Sequence, residues 1–103
     1  MRLLETYGIP RLNDDQIEDL SQKAEEAARR HILSRISLSE IEKLEISIEA
    51  VGTRPVTVTV DIDLGLATAS ETYRADEIAD AAVREAFKAV ERFLGGLRCQ
   101  PRQ

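Results

Sequence analysis

The chain has 103 residues with one cysteine, one histidine and no tryptophan, and its 14 basic against 19 acidic side chains leave a net charge of −5. That length allows one two-layer core and excludes two independent ones, and no apolar run approaches the ~20 residues of a membrane-spanning helix. A lone thiol excludes an internal disulfide, and Cys99 with His31 cannot furnish the Cys/His sets that hold zinc, while the acidic balance argues against a broad basic face for nucleic acid.

Residues 1–12 carry a Gly8-Ile9-Pro10 breaker and read as an extended or loosely docked arm. Met1–Glu5 has no signal-peptide apolar region, so a cytoplasmic location is the expectation. A helix is predicted over about 14–34. Asn13 is its N-cap, Asp14 and Asp15 complement its positive end, and Gln16 sits where a capping box needs it. Leu12 and Ile17 are placed for a hydrophobic staple, and Ile17, Leu20, Ala24, Ala27, Ala28, His31 and Ile32 make the apolar stripe. Ser37-Leu38-Ser39-Glu40 has the pattern of a second cap and one short turn.

From Leu44 the period changes to two. Leu44, Ile46, Ile48 and Ala50 alternate with Glu45, Ser47, Glu49 and Val51, and after a Gly52-Thr53-Arg54-Pro55 turn Val56, Val58, Val60, Ile62 and Leu64 alternate with Thr57, Thr59, Asp61 and Asp63. Two strands, about 44–51 and 56–64, form an antiparallel hairpin with one apolar face. Residues 65–72 read as a loop. A second helix over about 74–94 follows, with a wide apolar arc from Ala75 to Leu94, and Gly95-Gly96 stops it ahead of a flexible 95–103 tail.

The fold is therefore predicted as α+β, in the order α-β-β-α, with residues 13–94 forming one domain and both helices on one face of the hairpin. A two-stranded sheet is marginal alone and its edges are templates for another chain, so association is expected to extend it. The candidate contact residues are Val56, Val58 and Val60 on the second strand and Ala82 and Ala86 on the second helix.

Candidate chemistry is sparse. Asp61 and Asp63 share a strand face about 7 Å apart, with Glu45 or Glu49 across the hairpin, a pattern open to Mg²⁺ or Ca²⁺ but equally that of a wet sheet face. His31 reads as a packed or dipole-favoured histidine, Cys99 as a bystander thiol, and Ser34, Ser37 and Ser39 as cap and turn residues. No phosphate-binding glycine motif occurs, and Tyr7, Tyr73, Phe87 and Phe93 are too scattered for a base-stacking platform. Arg29, Arg30 and Arg35 lie close together and Arg98 and Arg102 make the tail basic, which reads first as solvated surface. The expectation is a protein without catalysis, cofactor, metal or small-molecule substrate.

Three stretches carry a family resemblance: Ala24-Glu25-Glu26-Ala27-Ala28-Arg29-Arg30-His31-Ile32-Leu33, the hairpin from Ile41 to Glu49 and Val56 to Leu64, and Ala79-Asp80-Ala81-Ala82-Val83-Arg84-Glu85-Ala86. Over residues 13–94 the chain resembles a small archaeal family similar to a paralogue of the dimerising subunit of KEOPS, the complex that installs threonylcarbamoyl groups on adenosine 37 of certain tRNAs. The resemblance implies a non-catalytic subunit that heterodimerises with the dimerising subunit and meets tRNA only indirectly, while other subunits do the chemistry. The alternatives are a small RNA-binding module, a homodimeric archaeal protein of unrelated role, and a small metal-dependent hydrolase resting on Asp61 and Asp63.

Overall fold

A computed structural model of the chain describes residues 1–7, 12–51, 56–67 and 72–98, with side chains in the last helix from 74 to 96. In chain order the elements are β1 (Arg2–Tyr7), α1 (Asp14–Arg35), a 3₁₀ turn (Leu38–Glu40), β2 (Ile41–Val51), β3 (Val56–Leu66) and α2 (Thr72–Arg98). The turn at Gly52–Pro55, the Gly8-Ile9-Pro10 breaker, Cys99 and Arg102 lie outside the described residues.

The start of α1 follows from its sequence. Gln16 N–H donates to Asn13 Oδ1 at 2.8 Å, and Asn13 N–H donates back to Gln16 Oε1 at 2.9 Å, so both halves of the capping box form. Leu12 is buried and Ile17 packs against the core, the placement a hydrophobic staple requires. Leu20, Ala24, Ala28 and Ile32, four residues apart, make the fully buried stripe. Alanine at the middle two positions lets α2 approach closely. That helix buries a broader arc (Ala75, Ile78, Ala79, Ala82, Val83, Ala86, Phe87, Val90, Leu94), because it packs on both α1 and β3.

The sheet is antiparallel, and its strand order is β1-β3-β2. β2 and β3 form the expected hairpin, with Leu44, Ile46, Ile48 and Ala50 opposite Leu64, Ile62, Val60 and Val58. Val56, Val58, Val60 and Ile62 are fully buried beneath the helices, whereas Asp61 and Asp63 are exposed on the other face. Both helices thus cover one face, as the switch in period predicts.

The sheet has three strands rather than two. The stretch expected as an arm docks as β1 along β3, with Arg2 opposite Asp61 and Tyr7 opposite Val56. The adjacent leucines in Arg2-Leu3-Leu4-Glu5 break a period-two pattern, which hides a strand from periodicity. The exposed edge of β3 supplies the backbone donors and acceptors that hold it. Met1 N donates to Ile62 O at 2.7 Å and Ile62 N–H to Met1 O at 2.7 Å, so the pairing continues to the first residue.

Both glycine-based boundaries also shift. Gly65 continues β3 opposite Lys43, because Leu64 and Leu66 on either side pair with Leu44 and Ile41. Gly95 and Gly96 lie within α2 instead of ending it, and neither takes a left-handed φ. Glycine costs a helix about 1 kcal/mol relative to alanine, but it does not forbid one, and the buried Leu94 anchors the turn before it.

Candidate functional site

Three surfaces gather the groups that could do something: the uncovered sheet face, the β1 edge, and the groove between the helices.

On the uncovered face, β2 and β3 set Glu45 opposite Asp63, Ser47 opposite Asp61 and Glu49 opposite Thr59. Acidic residues do converge, but a lysine sits among them. Lys43 Nζ lies 2.9 Å from Asp63 Oδ2 and 3.8 Å from Glu45 Oε1. That ammonium holds the Asp63 carboxyl below its ordinary range, and Asp63 in turn raises Lys43. Asp61 lies opposite Arg2 of β1. Lys43 therefore stands between Asp63 and Glu45, and among the described residues no group of three or more His, Cys, Asp or Glu is placed to hold a metal.

The β1 edge is apolar. Met1 is 48% exposed, Leu3 42% and Leu4 56%, three of the six large hydrophobic side chains most open to solvent among the described residues. The reciprocal Met1–Ile62 pair fixes which way each backbone group points, because hydrogen-bonded and non-bonded pairs alternate along an antiparallel ladder. Leu3, Glu5 and Tyr7 therefore turn their N–H and C=O groups toward β3, and those of Arg2, Leu4 and Thr6 face outward. By the same alternation, Leu44, Ile46, Ile48 and Ala50 present theirs on the far edge of β2. Both edges lack a partner strand among the described residues.

Tyr7 closes the inner end of β1. Its hydroxyl is buried without a hydrogen-bond partner among the described residues. Burial first, then the carboxylates of Glu91 and Glu5, push its phenol up to about 12. An unfolded tyrosine ionises near 10, so the folded state holds its proton longer and stability falls as the pH rises from about 10 to about 12. Tyr7→Phe is expected to flatten this alkaline loss and to leave neutral-pH stability no lower than wild type, since it deletes an unsatisfied hydroxyl. Urea unfolding at neutral pH and again above pH 10 measures both effects.

On the solvent side of the helix pair runs a groove of three adjoining hollows, about 360, 250 and 350 Å³. The first and second share Arg30 and Arg92, and the second and third share His31. Lys23 and Phe93 stand at one end, and Arg35, Arg74 and Glu77 at the other. Lys23 is paired with Asp19 at 3.1 Å and Arg74 with Glu40 at 3.8 Å, and Glu85 accepts from Lys88 at 2.9 Å. Arg30, Arg35 and Arg92 form no ion pair of their own among the described residues. That Lys88 bond, and more weakly His31 and Arg92, hold Glu85 below its ordinary range.

His31 is half-buried, as its place on the apolar side predicts, but its Nε2 is buried without a partner among the described residues. Ser34 Oγ donates to the His31 carbonyl at 2.6 Å, and Ser37 and Ser39 pair with each other at 3.0 Å, so the serines act as local hydrogen-bond groups. The arginine cluster divides: Arg29 turns to Glu25 at 2.6 Å, while Arg30 and Arg35 line the groove, Arg30 in the same hollows as Arg92 of α2 and Arg35 at the far end. Arg92 was not legible as a member of that cluster. The signal was its position seven residues after Glu85, as Arg30 follows Lys23, which puts each pair on one helix side.

The five expected contact residues need correction. Val56, Val58, Val60, Ala82 and Ala86 are each 0% exposed, inside the core, so none of these side chains can meet a partner. Small or β-branched apolar residues on a sheet and a helix pack against each other first, and here the two elements close over one another.

A family model for "Protein of unknown function (DUF3194)" matches residues 9–93. No curated protein matches the chain. Among solved structures, a crystal structure from Thermococcus onnurineus NA1 shares the fold with a TM-score of 0.77 at 19% identity, over 95% of this chain and 94% of that one. The solution structure of the hypothetical protein mth677 from Methanothermobacter thermautotrophicus matches with a TM-score of 0.71 at 28% identity, over 87% of this chain and 97% of that one. Both neighbours are archaeal. Among the described residues no helix is long and apolar enough to cross a membrane.

Proposed function

The chain belongs to the DUF3194 family, and from its open sheet we propose that it is a non-catalytic interaction subunit. Its partner in this reading is the dimerising subunit of KEOPS, with which it forms a heterodimer that supports threonylcarbamoyl modification of tRNA adenosine 37. The partner's identity rests on the sequence resemblance. The observation that carries the interaction itself is β1, an edge strand with leucines exposed on both faces and outward backbone groups at Arg2, Leu4 and Thr6.

An edge of this kind favours strand addition for a plain reason. Each outward N–H and C=O gains a backbone partner, while Leu3 and Leu4 leave water on opposite faces of the enlarged sheet. Leu3 and Leu4 are 42% and 56% exposed, so burying what remains of the two contributes about 1.5–3 kcal/mol together, and the backbone pairs must supply the rest. Soluble proteins usually blunt such edges with charge or proline; β1 has no proline, and its charges Arg2 and Glu5 flank the adjacent Leu3 and Leu4. In this reading the acidic face with Lys43 keeps the outer surface wet and takes no part in chemistry.

Reconstitution of KEOPS with and without the chain, followed by measurement of modified tRNA, tests the proposal. The chain is expected to change the yield or the assembly state of the complex, and Asp61→Asn with Asp63→Asn is expected to leave that effect intact. Loss of activity in the double variant with assembly preserved would overturn the non-catalytic reading in favour of a metal site.

A further inference from the structure

The groove between α1 and α2 is cationic on an otherwise acidic protein. Arg30, Arg35 and Arg92 point three guanidinium groups at it without ion pairs of their own among the described residues. His31 lines its middle, and its Nε2 is buried beneath the surface without a partner among those residues. We propose that this groove binds single-stranded RNA, with the three arginines on its phosphates and the His31 ring forming part of the floor.

The chemistry selects this ligand over other anions. Guanidinium groups match phosphate oxygens in a bidentate fork, and a row of them along a groove suits a chain of phosphates better than one small anion. Phe93 stands at the Arg30–Arg92 end, where an aromatic edge beside cations suits stacking of an unpaired base. The groove also holds carboxylates, Glu26 at one end, Glu85 in the middle and Glu77 at the other. They repel any polyanion, which the arginines must outweigh, but they can accept a hydrogen bond from a ribose 2′-hydroxyl, which DNA lacks. The groove lies on the helices and leaves the β1 edge unobstructed. RNA binding is therefore separate from the pairing proposed above, and it can be measured on the chain alone.

Fluorescence anisotropy of a labelled mixed-sequence single-stranded RNA, titrated with the full chain at several salt concentrations, tests the site. Wild type is expected to bind, with affinity falling steeply as salt rises. Arg30→Ala with Arg92→Ala is expected to weaken binding at least about tenfold and to reduce the salt slope by about 1.4. Arg84→Ala, which removes an exposed cation paired with Asp80 outside the groove, is expected to change neither. All three substitutions are at exposed positions, and matching thermal unfolding of the variants confirms that the fold is retained. His31→Gln is expected to lower affinity with the salt slope unchanged. Four results would overturn the proposal: no binding at low salt, an unaltered slope in the double variant, DNA of the same sequence bound as tightly, or polyglutamate displacing the RNA at equal charge.

Discussion

Ile62→Ala is expected to lower unfolding stability by about 2–5 kcal/mol, a large part of the roughly 5–15 kcal/mol that holds a domain of this size. Ile62 is 0% exposed at the middle of the central strand, paired with Ile46 on one side and hydrogen-bonded to Met1 on the other. Truncation leaves a cavity between β3 and the helix layer that covers it, which packed neighbours close only in part. The adjacent acids give the contrast. Asp61→Asn and Asp63→Asn are expected to leave the unfolding midpoint nearly unmoved, because an exposed ion pair such as Lys43–Asp63 contributes little. Urea unfolding measures the series, and a shift of midpoint at constant m-value identifies a true loss of stability. Equal losses at Ile62 and Asp61 would mean that the sheet faces are assigned the wrong way round.

That alternation of faces was written plainly in the sequence. Val56 to Leu64 repeats apolar and polar residues with period two, and Asn13 to Gln16 spells out the start of α1, so these elements and their orientation follow from local chemistry. β1 could not be read in the same way. Its pairing depends on a backbone edge more than fifty residues away, and Leu3-Leu4 obscures the period that would have signalled a strand. Gly65 and Gly95-Gly96 misled for a related reason: glycine marks a permissive backbone, and the neighbours Leu64, Leu66 and Leu94 decide whether the permission is used.

The candidate sites show the same division. The acids at Asp61 and Asp63 were visible as a pair, but Lys43 comes between Asp63 and Glu45 only once β2 registers against β3. The groove needs α1 and α2 side by side, so Arg92 joins Arg30 only in three dimensions. Val56, Val58, Val60, Ala82 and Ala86 looked like contact residues because apolar surface is needed for both cores and interfaces. Sequence pattern cannot separate these uses until the packing partners are known.

Leu4→Pro is expected to abolish association through the sheet. The Leu4 amide points away from β3, so proline removes an outward donor and puts its ring where an added strand would lie. The inner ladder survives, because Leu3 and Glu5 keep their bonds to Val60 and Val58. Leu4→Ser separates backbone from side chain. It keeps the donor and loses only the apolar burial still available at a half-exposed site, worth about 1–2 kcal/mol, so binding weakens roughly five- to thirtyfold and is not lost. Urea unfolding of each variant without partner confirms that β1 remains docked. Undiminished association of Leu4→Pro would place the interface elsewhere, with the far edge of β2 the next surface to test.

Sedimentation velocity of the chain mixed at micromolar concentration with the purified KEOPS dimerising subunit decides whether the proposed heterodimer forms. A single 1:1 species heavier than either protein alone is expected, lost when Leu4→Pro replaces the wild-type chain. Two components sedimenting as they do separately would contradict it.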